Sequence, residues 1–285
     1  MTGRTRRGRV LLGALLLAGA AGCTGAGDPA PQATERRTAT AQPAAVAALR
    51  AAERATGRAG SARVESSTAL GTDVSMTSAG TLAWDGGLTG ALTITYTGGS
   101  IAETMRALGT TSMQARYLPD AYYARMGDAF AAKAGGRHWI RYAWDDLAGL
   151  GGASGAYLAE QIREAAPQQA VKLVLAAGDV RRVAVETVRG ERTTRYRGTA
   201  RAAEVTDPGL RERLRRAGVT EQTVDVWVDG EGLLVKKVEQ DRTATGRVTQ
   251  TCFYGDYGVR VSVAPPPPGD TQDFKDLMTP GPAAS

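Results

Sequence analysis

Apolar and polar side chains alternate along many short runs of this chain. Between Leu88 and Tyr96, Leu92, Ile94 and Tyr96 fall on one face and threonines fall on the other. Because successive side chains of a β-strand point to opposite faces, this period indicates strands with one apolar face. Turn signals such as Asp85-Gly86-Gly87 separate consecutive runs, so short hairpin connections are expected.

The same alternation recurs along the chain and is interrupted by a few helical patterns. Strands are predicted at Ala62–Ala69, Val74–Trp84, Leu88–Tyr96, Met113–Tyr117, Ala121–Met126, Trp139–Trp144, Arg182–Val188, Arg192–Arg201, Thr223–Val228, Leu233–Asp241, Gly246–Tyr254 and Val259–Val263. Helices are predicted at Pro43–Arg54, Ala156–Ala165, Gln169–Ala176 and Pro208–Ala217, and Ile101–Leu108 is either a short helix or part of an insertion. This pattern predicts an α+β domain built on one large antiparallel sheet.

The first 22 residues have the pattern of a signal peptide. Arginines between Arg4 and Arg9 precede the apolar run Val10–Ala21, and no acidic residue occurs in this segment. A helix of this length reaches about 18 Å, which is short of the roughly 30 Å hydrocarbon core of a bilayer. The run is therefore interpreted as the hydrophobic part of a signal and not as a membrane span.

The small residues Ala20-Ala21-Gly22 stand directly before Cys23. This pattern resembles the lipobox of bacterial lipoproteins, in which the cysteine receives a diacylglycerol group and becomes the mature N-terminus. The resemblance implies lipid attachment at Cys23 and a location on the extracytoplasmic face of the cell membrane. Ordinary signal-peptide cleavage, with Cys23 incidental, is the alternative. A lipidated Cys23 would leave Cys252, the second of two cysteines, unpaired in a strand.

Composition divides the rest of the chain into three parts. Residues 23–42 are rich in Gly, Pro, Ala and Thr and are predicted to form a flexible tether. Residues 43–264 contain the predicted strands and helices and should form one folded domain. Residues 265–285 begin with four prolines, which predicts an unstructured, Pro-rich tail.

The formal charge of +6 does not by itself indicate a polyanion partner. Four arginines lie in the signal segment, so the mature chain would carry 31 basic and 29 acidic residues and a charge of +2. Export and the scarcity of aromatic residues among the clustered arginines, where Tyr196 stands alone, both disfavour a nucleic-acid partner.

The chemistry-bearing residues do not form a recognisable catalytic or cofactor motif. His138 is the single histidine, so histidine-based catalysis would depend on it, and a zinc site could not be assembled. The adjacent Asp145 and Asp146 would point to opposite faces of a strand, which disfavours a cooperating acid/base pair. The glycine-rich segment Gly149–Gly155 lacks dinucleotide-binding spacing and is interpreted as a mobile loop. The sequence therefore predicts a non-enzymatic protein without a cofactor.

Several strand and turn motifs together resemble one protein family. They are Thr223–Gly230, Val188–Tyr196, Tyr254–Gly258 leading into Val261–Pro266, and His138–Ile140 before Asp145–Leu147. These motifs are similar to those of actinobacterial lipoproteins of the LppX/LprG type. The resemblance implies a half-open antiparallel β-barrel related to the LolA carriers, with helices on the concave side. It also implies an apolar cavity that binds or carries acylated lipids in the cell envelope.

Two sets of side chains are candidates for such a ligand. Only three Phe occur in the chain, so small side chains must fill a wide sheet, and a cavity is plausible on packing grounds. Its candidate lining residues are Leu92, Ile94, Tyr96, Leu158, Ile162, Val171, Val224, Val226 and Val228. The alternative is that these residues simply pack against one another. The basic hairpin around Arg189-Gly190-Glu191 offers Arg182, Arg192 and Arg195 as candidates for anionic head groups, the alternative being a solvated arginine face.

The expected function is that of a membrane-anchored lipoprotein that binds or carries a lipid or an acylated glycolipid. The alternative function, from a different class, is an envelope-sensing or protein-interaction module with the same fold and a filled core. The sequence identifies no protein partner.

Overall fold

The computed structural model describes residues 42–144, 146, 165–244 and 246–278, all within the unit that begins at Thr38. The strands are β1 (Ser61–Leu70), β2 (Val74–Ala83), β3 (Thr89–Gly98), β4 (Ser112–Tyr117), β5 (Ala121–Arg125), β6 (Trp139–Ala143), β7 (Arg181–Val188), β8 (Glu191–Arg201), β9 (Val219–Val228), β10 (Leu234–Thr243), β11 (Gly246–Gly255) and β12 (Thr271–Asp273). The helices are α1 (Pro43–Ala59), α2 (Gly99–Ala107), α3 (Asp128–Ala131), α4 (Pro167–Ala176), α5 (Pro208–Arg216) and α6 (Phe274–Met278), with a 3-10 turn at Pro268–Asp270.

All of these strands belong to one sheet, in the order β12-β6-β5-β4-β3-β2-β1-β11-β10-β9-β8-β7. Two antiparallel meanders, β1 to β6 and β7 to β11, meet where β1 pairs with β11. The end strands β12 and β7 do not pair with each other, so the sheet is open. The predicted α+β class with one large, unclosed sheet is therefore confirmed.

Helices α1 and α4 cover one face of the sheet, which we call the helix-covered face. The apolar residues Ala45, Leu49 and Ala52 recur at helical spacing on α1 and are fully buried or nearly so. They share one core cluster with Val171 and Val174 of α4 and with side chains of the central strands. Among the residues that the structure describes, none of the helices combines the length and the apolar character needed to cross a membrane.

Two strand glycines permit close approaches on this face. At Gly198 in β8, a Cβ atom would lie 2.8 Å from the carbonyl oxygen of Val174, so the missing side chain lets α4 lie directly on the sheet. At Gly80 in β2, a Cβ atom would lie 2.9 Å from the Cα atom of Leu92 on the neighbouring strand. Glycine is the residue that fits where backbone is approached this closely.

The prediction of a strand at Val259–Val263 is wrong, because this segment crosses the sheet instead of pairing along it. Gly258 donates its backbone N–H to Ser61 of β1, and Arg116 of β4 donates to the carbonyl of Ala264. Val263 then packs against the cluster that contains Trp139 of β6. The alternating valines therefore belong to a segment, residues 256–264, that crosses several strands and that we call the strap. Side chains alternate in such a segment as they do in a paired strand, so the period of two does not distinguish the two structures.

The prediction of an unstructured segment from residue 265 is wrong for residues 265–278. After the prolines, Thr271–Asp273 forms β12, which pairs in parallel with β6. Asp270 fixes this segment, since its carboxylate accepts hydrogen bonds from the backbone N–H and the ring Nδ1 of His138 at 2.9 and 2.7 Å. The domain accordingly extends to α6, beyond the predicted boundary at 264. Proline segments lack donors, yet their carbonyls and the residues that follow them remain able to pair.

Candidate functional site

A cavity of about 270 Å³ lies between α4 and the helix-covered face of the sheet. Seven strands contribute to its wall. The lining side chains include Val64, Ser66 and Thr68 of β1, Met76, Ser78 and Leu82 of β2, Leu92 and Ile94 of β3, Tyr117 of β4, Tyr122 of β5, Lys237, Glu239 and Asp241 of β10, Val248, Gln250, Cys252 and Tyr254 of β11, and Leu173 of α4. The cavity therefore spans the junction between the two meanders.

One end of the cavity is apolar and aromatic. Leu82, Leu92 and Ile94 line it together with the rings of Tyr117 and Tyr122, whose centroids lie 5.3 Å apart. Burial raises the pKa of both phenols well above the usual value, so the rings stay neutral across the physiological range. Such a surface can bury a hydrocarbon chain, at a gain of about 0.8 kcal/mol per methylene group.

The other part of the cavity wall is polar, and strand register aligns its members. Glu239 of β10 lies opposite Gln250 of β11, which lies opposite Thr68 of β1. In the next row, Cys252 separates Lys237 from Ser66, and Ser66 lies opposite Ser78 of β2. We call the following six residues the polar stripe: Lys237, Glu239, Gln250, Thr68, Ser66 and Ser78.

A buried ion pair forms the charged end of the polar stripe. Lys237 Nζ donates to Glu239 Oε2 at 2.9 Å and to Gln250 Oε1 at 2.6 Å, and the side chains of the ion pair are 8% and 11% exposed. Gln222 Nε2 bridges Glu239 and Asp241 at 2.6 and 2.9 Å. Burial opposes ionisation of Glu239, but the charge and hydrogen bond of Lys237 outweigh it and leave the pKa of Glu239 below its usual value.

The pKa of Asp241 is shifted in the opposite direction from that of Glu239. Burial, followed by the negative charge of Glu239, raises the pKa of Asp241 to about 6, although Gln222 donates a hydrogen bond to it. Because the folded-state pKa exceeds the usual value of 3.8, the folded protein binds the proton more tightly than the unfolded chain does. The resulting stabilisation is complete below about pH 4 and is lost as the pH rises through about 6.

Replacement of Asp241 by Asn is therefore expected to raise stability above pH 6. Asn cannot ionise, and its amide oxygen can still accept the hydrogen bond from Gln222, so the variant should gain on the order of 1–2 kcal/mol at pH 8 relative to pH 4. Urea unfolding of both proteins at the two pH values measures this gain. The control is Asp85→Asn in an exposed turn, which should show no such pH dependence. An equal effect of Asp241→Asn at both pH values would contradict the prediction.

The sequence-predicted cavity residues separate into two groups. Leu92 and Ile94 line the cavity, and Tyr96 lies on β3 opposite the lining residue Met76 but is not part of the described lining. A second group, consisting of Val171 of α4 and Val224, Val226 and Val228 of β9, is buried in the packed core cluster and does not contribute to the described lining. For this group the alternative of mutual packing holds, because α1 and α4 lie directly over these strands. Leu158, Ile162 and Cys23 lie outside the described residues.

The three candidate arginines do not converge on one site. Arg192 and Arg195 are an odd number of positions apart on β8, so their side chains leave opposite faces of the sheet. Arg195 donates to Asp225 at 2.8 Å and stacks over the ring of Trp227, 4.9 Å from its centroid. Arg182 and Arg192 are exposed. The arginines of the basic hairpin therefore do not form one cationic surface, because their side chains lie on both faces of the sheet and Arg195 is paired with an acidic neighbour.

His138 fixes the segment that leads into β12. Its Nδ1 pairs with Asp270, and its Nε2 lies 3.4 Å from Asp128 Oδ1, so both ring nitrogens face carboxylates. His138 therefore has a hydrogen-bonded structural role.

The polar stripe is the part of the site that sequence reasoning missed. Lys237, Glu239 and Asp241 occupy alternate positions on β10, but apolar Leu234, Val235 and Val238 give that strand no clear apolar face. The sequence does show that these three charged residues are two positions apart, which places their side chains on the same face of the strand. It does not show which face of the sheet that is. Only pairing with β11 shows that this face is the helix-covered one.

Two Streptomyces proteins are similar in sequence to this chain. No family model matches it. The Streptomyces coelicolor protein named "Putative lipoprotein SCO4650" is 54% identical over 98% of each chain. This chain belongs to the family of that streptomycete lipoprotein. A second family relative, from Streptomyces griseus and named an uncharacterized 31.2 kDa protein, is 45% identical over 83% of this chain and 81% of its own.

Solved structures show the fold of this streptomycete lipoprotein family. The crystal structure of the lipoprotein LppX from Mycobacterium tuberculosis matches with a TM-score of 0.52 and 15% identity, covering 79% of this chain and all of LppX. LprF from Mycobacterium bovis matches with a TM-score of 0.47 and 14% identity over 80% of this chain and 99% of its own. The resemblance to lipoproteins of the LppX type that the sequence motifs carried is confirmed at the level of fold.

Proposed function

We propose that this protein is an envelope lipoprotein, anchored through Cys23, that binds the acyl chain of a lipid or lipidated molecule in the cavity beneath α4. The observation that carries the proposal is the cavity itself: a space of about 270 Å³ lined at one end by Leu82, Leu92, Ile94 and two tyrosine rings. Leu82 and the two tyrosines pack into the core cluster on one side, but Leu92 and Ile94 are only partly buried against it, which leaves their side chains facing the open space.

The size of the cavity limits the ligand. Sites for small molecules measure about 300–1,000 Å³, so the space of about 270 Å³ enclosed by the described residues is just below that range. It suits one acyl chain with a small head group. Family membership supports an anchor and a place in the envelope, and the LppX-like fold supports carriage, while a non-enzymatic role fits both.

Native mass spectrometry of protein purified in mild detergent tests this proposal. The wild-type protein is expected to carry acyl species, and Ile94→Trp, which fills the apolar end, should reduce their occupancy at least about fivefold. Thr93→Trp is the matched control, because Thr93 is exposed and its side chain leaves the opposite face of β3. It should retain wild-type occupancy.

Several independent purifications separate a specific ligand from adventitious lipid. Equal loss in both tryptophan variants, or equal retention in both, would contradict binding in this cavity. A reproducibly empty wild-type protein that captures one membrane partner would instead support the envelope-sensing function.

A further inference from the structure

The polar stripe lies inside a cavity whose other end suits hydrocarbon, and this placement is costly. Lys237 and Glu239 lose most of their hydration there, and a buried ion pair is often no more stabilising than well-packed apolar residues of the same volume. On the neighbouring strand β9, the positions directly opposite Lys237 and Glu239 are occupied by the apolar residues Val226 and Val224. Apolar side chains are thus accommodated on this face of the sheet. Folding alone therefore does not account for the charged end of the cavity.

The polar stripe retains unused hydrogen-bonding capacity. Gln250 uses its amide oxygen to accept from Lys237, but in the described part of the chain its amide nitrogen has no acceptor. The Thr68 hydroxyl likewise has no partner among the described residues, and Ser66 and Ser78 share a single bond of 2.7 Å that uses only one of their two protons. These groups lie next to one another across β11, β1 and β2, so a ligand head group can meet several of them at once.

Among the residues that the structure describes, the charges next to the polar stripe balance. Lys237 pairs with Glu239, and Asp241 and Arg213, which both contact Gln222, add one charge of each sign. An anionic head group would find each cation already opposed by a carboxylate, and a cationic one would find the reverse. A neutral group that both donates and accepts hydrogen bonds matches the wall, and hydroxyl groups have this chemistry.

We propose that the polar stripe is the head-group subsite of the cavity and that it selects uncharged, hydroxyl-bearing amphiphiles, such as those with a glycerol or sugar head. This inference rests on the proposed function, since it assigns the second half of the same site. The hydroxyls of the head group would accept from Gln250 and bond with Thr68, Ser66 and Ser78. The acyl chain would extend toward Leu92, Ile94 and the tyrosine rings.

Three probes of equal chain length test the selection by isothermal titration calorimetry on delipidated protein: 1-decanoylglycerol, methyl decanoate and decanoate, each below its micelle concentration. The first carries two hydroxyls, the second none and the third a negative charge. The wild-type protein is expected to bind 1-decanoylglycerol about tenfold or more tightly than either of the others, which corresponds to one or two net hydrogen bonds.

Two variants assign that preference to the polar stripe. Lys237→Met/Glu239→Leu removes both members of the ion pair together, so neither charge is left buried alone. Gln250 then loses the Lys237 donor that holds its amide oxygen, and the preference for 1-decanoylglycerol should fall about threefold. Thr68→Val keeps the side-chain volume and removes one hydroxyl, and it should lower the preference about threefold while leaving methyl decanoate unaffected.

The outcomes are distinguishable. If none of the probes binds to the wild-type protein, the proposed function itself is overturned. If all three bind equally, or decanoate binds most tightly, acyl binding stands and the head-group inference fails. If both variants keep the full preference for 1-decanoylglycerol, the selection lies elsewhere and the assignment to the polar stripe is overturned.

Discussion

Replacement of Cys23 by Ser is expected to release the protein from the membrane almost completely. A serine hydroxyl cannot form the thioether that holds diacylglycerol, so the variant loses both acyl chains of the anchor. Buried methylenes contribute about 0.8 kcal/mol each, and two chains are what separates stable anchoring from the marginal binding given by one. Immunoblots of membrane and medium fractions, with wild-type and variant chains expressed at equal levels, measure the distribution.

Cys252→Ser provides the control for this experiment. Cys252 is buried in β11, where burial raises the pKa of the thiol, and it lies in the folded domain far along the chain from the predicted signal. We expect this variant to remain with the membrane. Membrane retention of the Cys23→Ser variant at the wild-type level would refute lipid anchoring at this position. The mass of the wild-type N-terminal peptide gives a direct second measurement.

The single substitution Lys237→Met is expected to destabilise the domain far more than the double substitution Lys237→Met/Glu239→Leu. The single change leaves the carboxylate of Glu239 buried without its cation, and breaking a buried pair in this way costs about 3–5 kcal/mol. The double change replaces the pair with apolar residues of similar size and should lie within about 1–2 kcal/mol of the wild type. Urea unfolding at pH 7.5 measures both.

Acid should reduce the deficit of the single variant, because protonation of Glu239 removes the unpaired charge. The control is Arg215→Met, whose ion pair with Glu212 lies on the exposed side of α5 and should contribute little to stability. Equal costs for the single and double substitutions would show that the Lys237–Glu239 pair is not energetically isolated from water. That result would also weaken the argument that the polar stripe is retained for binding.

Local sequence patterns predicted most of the elements. The period of two located the central strands to within a few residues, with β9 beginning at Val219, four residues before the predicted Thr223. Helix α1 starts with Pro43 as predicted, but it runs to Ala59, five residues beyond the predicted Arg54, and ends before Gly60, whose φ of 72° is accessible to glycine. These features follow from backbone geometry and from neighbours a few positions away.

The functional site was only partly predictable. Of the predicted ligand-cavity residues, Leu92 and Ile94 lie in the cavity wall, because an apolar strand face beneath helices can face a cavity. The same argument failed for Val224 and Val226, since the sequence does not show where α4 lies on the sheet. Gly198 allows α4 to approach β8 and fill that region, whereas Ser66 and Ser78 leave space further along the sheet.

By itself the sequence predicted a signal peptide and a lipid-attachment cysteine, and it determined the α+β class and the two faces of nearly every strand. Tertiary structure alone decided that β1 pairs with β11, that residues 256–264 cross the sheet, and that β12 extends it. It also brought Glu239, Gln250 and Thr68, which are separated by up to 182 positions in sequence, into one row. The physical reason is that alternation records which face a side chain takes, whereas pairing between distant strands records which side chains become neighbours.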